Sequence, residues 1–149
     1  MDANIISSLI IGGFGTGITL YYSLHTKKVA DDQMMKDLFS DFNKRYWILN
    51  DSLYQIKDNY ETLEKLTVAP NYSELKNKIN DYFNLCAEEY FWYCRKRIDK
   101  SIWKSWHKGM NYWYNNVPVI KELWKEEIKD KEWMDTFYIT NNNGFFIDK

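Results

Sequence analysis

From Met35 to Leu63 the residues Met35, Phe39, Phe42, Tyr46, Leu49, Leu53, Ile56, Tyr60 and Leu63 recur at four- and three-residue steps. Such steps lay one apolar stripe along an α-helix and do not match the two-residue alternation of a half-buried strand. Asp31 and Asp32 suit the positive end of that helix, and Pro70 marks its far limit. The spacing predicts a helix from roughly Asp31 to Leu66.

Asn71 followed by Glu74 predicts a capping box. It opens a second helix, to about Arg97, whose buried face is Leu75, Ile79, Tyr82, Cys86, Tyr90 and Tyr93. Asp99 is placed to cap a third helix with Ile102, Trp103, Trp106, Met110, Trp113 and Tyr114. Pro118 opens a fourth with Ile120, Leu123, Trp124 and Ile128. A last short helix is expected around Trp133, Met134 and Phe137. The stretch Asn141 to Gly144 reads as a loop that leaves Phe145 and Phe146 to dock or to meet a partner. No segment sustains strand alternation, so the expected class is all-α, with short connections giving an antiparallel helical bundle over residues 29–149.

Ahead of the bundle, Ala3 to Thr26 contains no Asp, Glu, Lys or Arg. About 20 residues at 1.5 Å each reach across a hydrocarbon layer ~30 Å thick, so residues 1–28 are expected to be a transmembrane helix with a basic flank. Asn4, Ser7, Ser8 and the glycines dilute its Ile and Leu, which makes it a weak span. Lys27-Lys28 after the run, with Asp2 before it, predicts a single-pass inner-membrane protein with its N-terminus outside and the helical domain cytoplasmic. A signal peptide would carry the opposite flanks. Gly13 and Gly17 form a GxxxG pair, and Ser8, Gly12 and Thr16 a second small-residue stripe, which favours association of copies of the helix. Asn4, Ser8, Gly15, Thr19 and Tyr22 fall near one face and are candidates to line a polar path through a ring of such helices.

The 20 basic and 21 acidic residues nearly cancel, so any polyanion contact must be local. The densest cationic group is Arg95, Lys96, Arg97, Lys100, Lys104, His107 and Lys108. Lys100, Lys104, His107 and Lys108 follow one side of the third helix, near Trp103 and Trp106. This stripe is either a plain solvated face or the candidate contact for RNA phosphates, an acidic protein surface or lipid head groups, with the two indoles nearby for stacking. Adjacent Glu88 and Glu89 diverge by about 100° on a helix and cannot serve one reacting bond; one is expected to pair with the basic stripe. Cys86 and Cys94, too far apart on a helix to bridge, read as buried apolar thiols in a reducing compartment. The sequence holds no HExxH, paired CxxC, nucleophile elbow or Walker loop, so no catalytic residue, metal, cofactor or small-molecule substrate is expected.

The run DYFNLCAEEYFWYCRKRIDKSIWKSWHKGMNYWYNNVPVIKELW, behind an N-terminal span and a long helix, resembles small bacterial membrane proteins whose helical domain is related to HEPN folds. Among them it is most similar to the accessory membrane-pore proteins of type VI-B CRISPR systems. The resemblance implies a ring-shaped homo-oligomeric pore that strengthens antiviral defence by an RNA-guided nuclease. Nuclease members place Arg and His closer together than Arg97 and His107 stand here, so no enzyme is expected, and a degenerate HEPN-like ribonuclease stands as a third reading that requires RNA cleavage lost in Arg97→Ala or His107→Ala. The other function the residues support is a membrane-tethered adaptor that binds protein or RNA through the basic, Trp-bearing third helix.

Overall fold

The computed structural model describes the backbone of residues 3–129 and residue 146, with side chains from residue 16 onward. Every regular element among them is helical: α1 (Ala3–Asn59), α2 (Leu63–Thr67), α3 (Tyr72–Cys94), α4 (Lys100–Asn116) and α5 (Pro118–Glu127). The chain divides into two units, Met1–Asp37 and Leu38–Lys149.

The first unit is the N-terminal part of α1. The helix passes without a break from the charge-free run into Lys27, Lys28, Asp31 and Asp32, where a separate second helix was expected. Among the described residues no helix is long and apolar enough to cross a membrane. This corrects the expected transmembrane helix and the single-pass inner-membrane placement. The side chains of Asn4, Ser8, Gly12, Gly13 and Gly15 lie outside the described residues. Thr16, Gly17 and Thr19 are exposed, and a Cβ placed on Gly17 would meet open space.

The second unit is the bundle. Its core runs through Phe42, Leu49, Leu53 and Ile56 of α1, as the spacing predicts. The first helix ends at Asn59 and not near Leu66, because Thr62 takes extended backbone and its Oγ1 accepts from Lys65 N, which starts α2 afresh. Leu66 is then fully buried from this short helix. In α3 the expected capping box is absent: Asn71 makes no side-chain cap bond. The burial of α3 exceeds one stripe, since Phe83, Leu85, Ala87 and Glu89 join Leu75, Ile79, Tyr82 and Cys86, while Tyr90 and Tyr93 are only half-buried. A helix covered over so wide an arc has neighbours on several sides.

Asp99 caps α4 as expected, its Oδ1 accepting from Ser101 N at 2.7 Å, and Pro118 opens α5. Phe39 and Phe42 of α1 meet Trp106, while Tyr54 meets Trp113 further along both helices. The two helices therefore run in the same sense, with α3 as the returning member. Phe146 docks into the core, stacked on Tyr114 at 4.8 Å and edge-on to Trp124 at 5.0 Å. The helix expected around Trp133, the Asn141–Gly144 loop and Phe145 lie outside the described residues.

Candidate functional site

The basic group is built on the corner between α3 and α4. Arg97 N donates to Trp92 O and Lys96 N to Tyr93 O, while Lys96 takes φ 57°. This is the paired hydrogen-bond pattern that closes a helix through one left-handed residue, a place usually taken by glycine. Arg95, Lys96 and Arg97 thus gather where α3 exposes its last carbonyls and the negative end of its dipole, a structural reason for three cations in a row. Arg95 also lies over the Phe91 ring at 4.9 Å.

From this corner α4 departs with Lys100, Lys104 and Lys108, all exposed and about 6 Å apart along the axis. The helix has no Asp or Glu along its length. The ion pairs among the described residues join Arg45 to Asp41 and Glu88, and Lys65 to Glu61, so these three lysines are not neutralised there.

The indoles beside them are committed elsewhere. Trp103 is buried between the stacked rings of Tyr93 at 4.7 Å and His107 at 5.1 Å, with Tyr90 at 5.5 Å. Trp106 is stacked on Phe39 at 5.8 Å. The expectation that these two tryptophans offer free faces for bases is corrected: they are the packing that fixes α4 to α3 and α1. What α4 leaves exposed on this face is Lys100, Lys104 and Lys108, with neither Trp103 nor Trp106 open beside them as the stacking platform that single-stranded nucleic acid uses.

Sequence reasoning missed a second polar arrangement, between α1 and α3. Arg45 Nη1 donates to Glu88 Oε2 at 2.7 Å and Nη2 to Oε1 at 2.9 Å, a two-pronged pair, and the guanidinium also lies near Asp41. The Glu88 hydrogen bond holds the Arg45 pKa above its usual value. Glu88 therefore pairs with α1 and not with the basic stripe. The pair walls an open groove of about 330 Å³ that Ile48, Leu49, Lys78, Asp81 and Asn84 complete. Both signs of charge line it, and its strongest cation is already held by Glu88.

Glu89 points the other way and is 6% exposed. Burial pushes its carboxyl up to about 8; Arg45 draws it down and Glu88 adds to the rise. Nearby, burial also drives the Tyr82 hydroxyl and the Cys86 thiol well above their ordinary values, and Tyr82 Oη has no hydrogen-bond partner among the described residues. Tyr46 Oη accepts from Trp113 Nε1 at 2.9 Å on the same side of the core. At pH 7 Glu89 is held mainly in its protonated form, and these groups are enclosed by the apolar packing of the core. Cys94, expected to be buried like Cys86, is exposed; both are free thiols. The signal that was available was Arg45 beside the α1 stripe, with Glu88-Glu89 straddling the face of α3.

The chain matches no protein-family model, no curated protein and no solved structure.

Proposed function

We propose that the protein is a non-catalytic helical adaptor that holds an acidic protein surface against the lysine face of α4. The observation that carries this reading is the row Lys100, Lys104 and Lys108, exposed on a helix with no acidic residue and unpaired among the described residues. Three aligned cations on a rigid, well-packed helix favour a partner of opposite charge and speed its approach. The burial of Trp103 favours an acidic protein over single-stranded RNA, because the stacking surface is spent inside the bundle. The resemblance of its aromatic-rich run to accessory proteins of type VI-B CRISPR systems is the reason for placing the adaptor beside an RNA-guided nuclease in antiviral defence. The pore implied by the same resemblance needs a spanning helix, and none is found among the described residues.

A photo-crosslinking residue in place of Ser105, beside the lysine face, tests the proposal in cells under phage challenge. The expected result is an adduct with one protein that vanishes when Lys100, Lys104 and Lys108 are all changed to Glu. Adducts with RNA in its place, or a protein adduct indifferent to the three changes, would overturn the reading.

A further inference from the structure

Within the bundle, α1 leaves two adjacent apolar side chains open to water: Trp47 is 77% and Ile48 60% exposed. Phe39 and Tyr54, the other large apolar side chains exposed on this part of α1, pack against Trp106 and Trp113 of α4. A tryptophan in water forgoes the burial of about 150–250 Å² that such a ring ordinarily brings, and tryptophan is among the residues that dominate binding surfaces.

The charges around this pair identify its partner. Lys44 and Asp51 are both exposed and stand seven residues apart, within about 20° of one line along the helix. Trp47 and Ile48, about 100° apart, fall on either side of that line. The ion pairs among the described residues include neither Lys44 nor Asp51. A face with one charge of each sign, equally far along the helix from an apolar centre, is complementary to itself turned end for end. The lysine face of α4, which carries a single sign, is not. A parallel, in-register pair would set Lys44 against Lys44 and Asp51 against Asp51, which repel. A two-fold axis between residues 47 and 48 sets Lys44 of each copy against Asp51 of the other. It brings Trp47 onto Trp47 and Ile48 onto Ile48, and pairs neutral Ser40 with Gln55 in the next layer. We infer that this face of α1 binds a second copy of the same chain, antiparallel in this register. The inference is independent of the α4 lysine face.

The test uses the full chain with Cys94→Ser, which removes the exposed native thiol. In this register residue 44 of one copy faces residue 51 of the other, whereas the two copies of residue 44 lie about 10 Å apart along the axis, beyond the reach of a disulfide. Mild oxidation of Lys44→Cys mixed with Asp51→Cys should give a crosslinked dimer, in which the second Lys44–Asp51 contact stays intact, and neither variant alone should. By sedimentation, Trp47→Ala should lower the association constant at least about tenfold, with an unchanged far-UV spectrum because the ring is exposed in the single chain. Lys44→Asp should weaken association about tenfold, and Lys44→Asp with Asp51→Lys should restore it. Self-linking of Lys44→Cys, no mixed adduct, a monomeric full chain at tens of micromolar, undiminished association of Trp47→Ala, or a charge swap that fails to restore pairing would each overturn the inference.

Discussion

The Arg45 guanidinium reaches from α1 and grips both carboxylate oxygens of Glu88 on α3, at 2.7 Å and 2.9 Å, with each side chain about one-third exposed. Two parallel charge-assisted bonds fix the register of the two helices better than a point charge does. Arg45→Ala should cost about 1–2 kcal/mol, between the worth of a charged hydrogen bond and that of a solvated ion pair. Arg45→Lys should recover less than half. Urea unfolding of the three chains at neutral pH measures this.

Glu89 predicts an unusual pH dependence. Its folded carboxyl titrates at about 8, against 4.5 for an ordinary glutamate. Between those two values the unfolded chain releases a proton that the folded chain keeps, so stability falls as pH rises through the window and levels off above it. The full effect is on the order of 3–5 kcal/mol. Glu89→Gln keeps the shape without the charge. It should flatten the slope and make the protein more stable than the parent at pH 8, as read from unfolding midpoints at pH 5 and pH 8.

Trp113 and Tyr46 form the other polar tie across the core, the indole donating to the phenol oxygen at 2.9 Å. Tyr46→Phe and Trp113→Phe each leave the partner group without its bond in a largely apolar setting. A double-mutant cycle should give a coupling energy of about 1 kcal/mol. Additivity of the two losses would show that the bond contributes nothing.

Lys96 sits at φ 57°, where a side chain is disfavoured and glycine is not. Lys96→Gly should raise stability by roughly 0.5–1 kcal/mol in thermal unfolding, with the far-UV spectrum unchanged. A loss would mean that the ammonium group contributes more at the helix end than the backbone conformation costs.

The helical class, the Asp99 cap, the Pro118 start and the buried stripe of α1 were legible because each depends on local spacing or on a single residue's backbone chemistry. The break at Asn59 was not, since the same four-and-three spacing continues through Tyr60 and Leu63 while Thr62 stops the helix. Trp103 belonged by spacing to the apolar set of the third helix and by its place among lysines to a stacking surface; α4 carries it on the flank that turns toward Tyr93, which decides for the first. Which flank that is depends on the corner geometry at Lys96. The Arg45–Glu88 pair joins residues far apart in sequence, and only tertiary packing sets their meeting.

We propose that the α4 lysine face docks acidic partners. The most direct measurement is fluorescence anisotropy of a labelled polyglutamate peptide titrated with the full chain at low and at physiological ionic strength. The control is the Lys100→Ala, Lys104→Ala, Lys108→Ala chain, with circular dichroism to check its fold. The account predicts saturable binding that weakens with salt and falls at least about tenfold in the triple variant. Binding that the triple variant retains in full, or no binding by the parent chain even at low salt, would contradict it.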